Sequence, residues 1–173
     1  VKPGPIALPA ILSIGSNLGD REATLREAVA AIAAIDGVRL LAASGIVSSA
    51  AHKPEGVDAD APAYLNAIVS VSTTLAPAAL LDALAAIEQA NGRVRTERWG
   101  DRTLDIDIVT LDGLRISTER LTVPHPRAQD RAFVLAPWLQ VDPDAAIPGL
   151  GRVDTLLAAL DDTVEPYPAG ALA

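Results

Sequence analysis

The sequence predicts an α+β domain in which helices pack on one face of an antiparallel sheet. Three observations carry that expectation. Residues 64–74 (YLNAIVSVSTT) are rich in β-branched side chains, and residues 104–109 (LDIDIV) alternate apolar and polar as a half-buried strand does. Two other stretches repeat apolar residues at helical spacing. The elements follow the order strand-helix-strand-strand-helix-strand. Two strand-helix-strand units in that order give the ferredoxin-like arrangement, with both helices on one sheet face and the other face uncovered by them.

The first nine residues, VKPGPIALP, read as a loose arm, and residues 10–14 as a short buried strand. Gly15-Ser16-Asn17-Leu18-Gly19 ends it, and Asp20 is placed to cap a helix. Leu25, Val29 and Ile32 form that helix's stripe, and Asp36-Gly37 stops it. Residues 38–49 are mostly extended, and 50–63 form a polar loop before the strand at 64–74. Pro77 opens a second helix with Leu80, Leu81, Leu84 and Ile87 inward, ended by Asn91-Gly92. The strand at 103–111 meets a tight-turn signal, Asp112-Gly113, leading into a short strand at 114–117. Residues 123–127 (VPHPR) read as loop, 129–139 as a helix interrupted at Pro137, and 153–160 as a last helix. The final stretch, DDTVEPYPAGALA, reads as frayed. A single domain over residues 1–173 is expected, with its core at about 10–160.

Composition narrows the function. Half of the 173 residues are hydrophobic but only 3% are aromatic, so aliphatic side chains must fill the core. The net charge is −8 with only two lysines, a poor match to a phosphate-neutralising nucleic-acid binder. Yet Arg93, Arg95, Arg98 and Arg102 crowd one loop against Glu97 and Asp101, which suits a small polyanion. The chain has no cysteine, which excludes disulfides and thiolate metal sites. Prolines break the N-terminal apolar run, and no run reaches the ~20 apolar residues of a membrane helix. The expectation is a soluble cytoplasmic protein.

Asp105 and Asp107 carry the sharpest question. Side chains two apart on a strand share a face, with Cα atoms about 6.5–7 Å apart. If Leu104, Ile106 and Ile108 face the helices, both acids project from the open face. Unshielded carboxylates so placed repel, and a divalent cation removes the repulsion; Mg²⁺ takes one or two such ligands plus water and phosphate oxygens. The plainer alternative is a surface ion pair with Arg98 or Arg102. Acids beside a cationic loop are also the recurring parts of phosphoryl transfer. GSNLGD lacks GK[ST], so it is not a P-loop, and it reads equally as a strand-to-helix turn. His125, between two prolines, reads either as a surface group or as one working near neutral pH. Tyr64 and Asn66 share a strand face, as ligand contacts or as a half-buried ring and polar edge.

Four blocks, ILSIGSNLGDR, YLNAIV, RWGDRTLDIDIV and LTVPHPRAQDRAFVLAPW, resemble the 6-hydroxymethyl-7,8-dihydropterin pyrophosphokinases of folate biosynthesis, in order, from about residue 11 to 160. The resemblance implies an ATP-dependent diphosphotransferase that moves pyrophosphate from ATP to the pterin hydroxymethyl group and releases AMP. It assigns two Mg²⁺ ions to Asp105 and Asp107. Arg93 and Arg95 match cations of a mobile loop, and Arg102, Arg131 and His125 match groups at the phosphates. Arg120 and Thr122 fall where the family handles the nucleotide, with Glu88 nearby. Tyr64 and Phe133 match the rings that sandwich the pterin, Asn66 the group at its polar edge, Trp99 a residue of the closing loop, and Pro54 a backbone contact. The loops at 50–63 and 92–101 become lids over ATP.

The chain departs from the family pattern in three places. Asp101 replaces a proline or small residue, Ala50 to Gly56 (AAHKPEG) replaces a more aromatic stretch, and Pro126 stands where some relatives have tyrosine. ATP and the pterin are the expected partners of a monomer, without nucleic acid or membrane. Two rival readings use the same fold: a non-catalytic pterin-binding module, in which the arginines are idle, and a single-stranded RNA binder. The second needs paired central aromatics and a basic face, and neither is visible.

Overall fold

The computed structural model describes residues 5–49, 52–53, 56–57, 63–92, 104–169 and 172. The expectations for Pro54, Arg93, Arg95, Trp99 and Arg102 lie outside those residues. Strand β1 (Leu8–Ser16) leads to α1 (Arg21–Ala33), β2 (Val38–Ala43) and β3 (Val47–Ser49). The short pair β4 (His52–Lys53) and β5 (Gly56–Val57) precedes the long β6 (Tyr64–Thr73) and α2 (Pro77–Gly92). Then come β7 (Asp105–Leu111), the ribbon β8 (Ile116–Ser117) and β9 (Thr122–Val123), and α3 (Ala132–Val141). The pair β10 (Ala146–Ile147) and β11 (Gly151–Arg152), α4 (Val153–Ala158) and β12 (Glu165–Pro166) complete the order.

The main sheet is antiparallel, with β7, β1 and β6 side by side. β2 and β3 share the outer edge of β6, each pairing with a different half of it. Ser44 bridges the break between them: its N–H donates to the Ile68 carbonyl at 2.9 Å, and its Oγ accepts from the Ile68 N–H at 2.9 Å. This is the ferredoxin-like order that the two strand-helix-strand units imply. Asp20 caps α1 by accepting the Ala23 N–H at 3.1 Å. Gly37, at φ 88°, makes the turn from α1 into β2 in a conformation that side chains oppose.

The first face of the sheet packs on α1 and α2. Leu12, Ile14, Leu65, Val69, Ile106 and Ile108 meet Leu25 and Ile32 of α1 and Leu80 and Leu84 of α2, all buried. Each such side chain contributes about 1.5–3 kcal/mol on burial. Leu104, Ile106 and Ile108 thus face the helices as their alternation requires.

Five local expectations change. α3 and α4 pack on the second face, where Ile68 and Val109 meet Val134, Leu135, Trp138 and Val153, so that among the described residues that face is covered at one end and open at the other. α3 runs through Pro137, which forgoes one backbone bond while it and Trp138 are buried. Val123 belongs to β9, which pairs with the short strand after the Asp112-Gly113 turn, rather than to a loop. β1 starts at Leu8, inside the expected arm. Residues 165–167 of the C-terminal stretch are not frayed: β12 pairs with β3, the Tyr167 N–H donates to the Ile46 carbonyl at 2.9 Å, and Tyr167 packs on the core. An unpaired edge of β3 is what it covers. Among the described residues, no helix is long and apolar enough to cross a membrane.

Candidate active site

The pleat of β1, β6 and β7 sorts the second face into two ends. Beneath α3 lie Ile11, Ile68 and Val109. At the open end β7 presents Asp105 and Asp107, β1 presents Ser13 and Gly15, and β6 presents Tyr64 and Asn66, all around one cavity of about 270 Å³. The register sets Ser13 opposite Asp107 and Gly15 between Asp105 and Asn66. Ser49, at the end of β3, and Arg131 and Phe133, at the entry to α3, close the wall.

Neither acid is buried beneath a helix. The Asp107 side chain is 46% exposed, and Arg131 Nη1 stands 4.0 Å from its Oδ2, at the outer limit of an ion pair. The same guanidinium lies 5.5 Å from the centre of the Phe133 ring, so Arg131 spans the acidic and aromatic parts of the cavity. Two carboxylates converging on one hollow, with water and phosphate oxygens to complete the shell, suit Mg²⁺. Among the described residues no third acid, histidine or cysteine joins them in a cluster.

His125 is anchored beside this end. Its N–H donates to the Val109 carbonyl at 2.9 Å, and its Nδ1 accepts the Arg127 N–H at 3.2 Å. That bond leaves Nε2 to carry the proton of the neutral ring. Burial lowers its pKa below the ordinary 6.5; Asp107 opposes the shift, while Arg131 and Arg127 add to it.

Other expected residues stand apart. Glu88 Oε2 accepts the Ile106 N–H at 2.9 Å, so this side chain binds α2 to the outer edge of β7 between the two acids. Arg120 pairs with Asp82 of α2 on the surface, beside a larger, mostly apolar cavity of about 580 Å³ that contains neither acid. Thr122 lines a third hollow with Arg115 and Pro148. Pro54, Arg93, Arg95, Trp99 and Arg102 lie outside the described residues. The structure adds Ser13, Gly15 and Ser49, which sequence reasoning missed. The signal for the first two was small residues alternating with Leu12 and Ile14 within one strand.

A family model for 7,8-dihydro-6-hydroxymethylpterin-pyrophosphokinase matches residues 11–143. A 2-amino-4-hydroxy-6-hydroxymethyldihydropteridine pyrophosphokinase of Methylorubrum extorquens is 43% identical over 152 residues, 88% of this chain and 93% of the relative. Proteins of the same name from Pseudomonas aeruginosa (40% over 148 residues, 86% of this chain and 89% of the relative) and Haemophilus influenzae (37% over 155, 90% and 94%) are also similar. Among solved structures, an HPPK-DHPS in complex with substrates superposes with a TM-score of 0.65 at 12% identity, over 89% of this chain and 43% of that one. Plasmodium falciparum HPPK-DHPS with pterin and p-hydroxybenzoate gives 0.67 at 14%, over 91% and 44%. This chain spans less than half of those longer chains, and at such identities they bear on the fold alone. The family match and the long, similar relatives agree with the cavity's chemistry: the chain belongs to the 7,8-dihydro-6-hydroxymethylpterin-pyrophosphokinase family.

Proposed function

We propose that this chain transfers pyrophosphate from ATP to the hydroxymethyl group of 6-hydroxymethyl-7,8-dihydropterin, in folate biosynthesis, and does so at the open end of the second sheet face. One observation carries the assignment: the two acids, a carboxamide, two aromatic rings and an arginine line a single cavity. Tyr64 and Phe133 stack on the flat pterin, each ring contributing about 1 kcal/mol beyond burial. Asn66 bonds the polar rim. Asp105 and Asp107 would hold two Mg²⁺ ions, which when bound supply neutralising charge to the triphosphate. Arg131 and His125 face the same phosphates, and the loop cations Arg93, Arg95 and Arg102 add to them.

In the reaction, the hydroxymethyl oxygen bonds to the β-phosphorus and the link from that phosphorus to the α,β-bridging oxygen breaks. AMP departs with the bridging oxygen, and the hydroxyl proton goes to solvent. No side chain at the cavity needs to act as base; holding oxygen and phosphorus in line is the main task. In Asp107→Ala, AMP formation should slow by on the order of 10³-fold with an unchanged melting temperature. Full turnover by that variant removes the metal role. Pterin binding by the unaltered chain without any AMP release would make it a binding module instead.

A further inference from the structure

The GSNLGDR segment, from the end of β1 to the first residue of α1, contributes no group to the chemistry above, yet it touches the pterin side of the cavity twice. We infer that Gly15 and Arg21 are positioning residues that set Asn66 and Tyr64 for pterin recognition, an inference that rests on the proposed function. Gly15 lies directly opposite Asn66 in the β1–β6 register. A methyl group built on Gly15 would stand 2.5 Å from Asn66 Oδ1 and 3.5 Å from its Cγ. The first distance is too short for a carbon and an oxygen to share. The backbone at Gly15 is not left-handed, so what the position supplies is empty space. Into that space the carboxamide lies, its oxygen over β1 and its Nδ2 donating to Ser49 Oγ of β3 at 3.5 Å. One end of the amide is thereby set over each neighbouring strand, which orders its donor and acceptor for a ligand with a complementary edge. Asn66 is 4% exposed, so it has little freedom to turn elsewhere.

Arg21 acts on the adjacent residue. Asp20 caps α1 and starts the helix, which places Arg21 in its first turn. From there Nη1 donates to the Ala63 carbonyl at 2.6 Å, immediately before Tyr64. The end of β1 and the start of α1 therefore hold the plane of one amide and the backbone at the root of one ring, two residues apart on β6. A pterin needs both, since the stacked ring sets its depth and the amide sets its rotation.

The test is a pair of double-mutant cycles read as pterin affinity, by calorimetry with 6-hydroxymethyl-7,8-dihydropterin in the presence of Mg²⁺ and a non-hydrolysable ATP analogue. Gly15→Ala should weaken pterin binding about tenfold and raise its KM while leaving the KM for ATP unchanged. In an Asn66→Ala background the same change should cost nothing further. Arg21→Gln should weaken pterin binding severalfold, and that effect should vanish in Tyr64→Ala. Additive losses in both cycles, or equal losses for ATP and pterin, overturn the inference. If Asn66→Ala and Tyr64→Ala themselves leave pterin binding intact, the proposed function has failed instead. Should Gly15→Ala not fold, the Arg21 cycle decides by the same criterion.

Discussion

Strands β1, β6 and β7 cross the second face of the sheet together and change chemistry midway. Under α3 they show Ile11, Ile68 and Val109, closed over by Trp138, which is 3% exposed. At the other end the same strands show Ser13 and Gly15, Asn66 and Tyr64, and Asp105 and Asp107, with no helix packed over the two acids among the described residues. On the opposite face the same strands show Leu12, Ile14, Leu65, Val69, Ile106 and Ile108 to α1 and α2, with no charged residue in that buried cluster. The pleat decides only which residues share a face. The roof decides which of them can be charged, since a helix laid over two acids would strip their water without supplying counter-charges. Polar and charged residues thus gather at the end that the helix leaves uncovered.

Substitutions at the two ends should therefore fail differently. The largest stability effect belongs to the covered end. Trp138→Ala should cost about 3–5 kcal/mol in a denaturant titration, while the folded fraction keeps its KM for both substrates. A change in KM without loss of stability would mean that Trp138, like Phe133 of the same helix, acts on the site. Phe133, on the boundary and half-buried, should show the mixed case weakly. Phe133→Ala should lower pterin affinity about fivefold, as the loss of one ring stack would, with a melting temperature close to the parent's.

The smallest effect concerns His125, where the ends meet. Its folded-state pKa is lowered, first by burial and then by Arg131 and Arg127, against the pull of Asp107. The folded chain therefore binds fewer protons than the unfolded one between the lowered value and 6.5. The linked stability is complete above 6.5 and is lost as pH falls through the lowered value. Without Mg²⁺ or nucleotide, the melting temperature should drop slightly from neutral pH to about 5, and His125→Asn should remove that part of the drop. An unchanged pH profile in the variant would mean that the ring is solvated at the open end.

Much of the site was legible because its signal is local. Alternation put Asp105 and Asp107 opposite Leu104, Ile106 and Ile108, and the same period paired Tyr64 with Asn66. Asp20 announced the start of α1, and the apolar stripes of α1 and α2 announced which face they cover. Glu88 was singled out, but not its bond to the Ile106 N–H, because nothing within α2 indicates which strand edge lies beside it. The C-terminal stretch was misread for a related reason. Prolines and acids look like a loose end until β3 offers an edge to pair with.

By itself the sequence determined the order of the strand-helix-strand-strand-helix-strand core and the face on which its side chains lie, since both follow from backbone periods spanning a few residues. The tertiary structure alone decided that α3 roofs half of the second face and that Glu88 satisfies the edge of β7. It alone decided that Arg21 reaches Ala63 across 42 residues and that the space at Gly15 is filled by Asn66. Those contacts join segments whose nearness depends on the packing of the whole sheet, and no local pattern encodes a distance between strands.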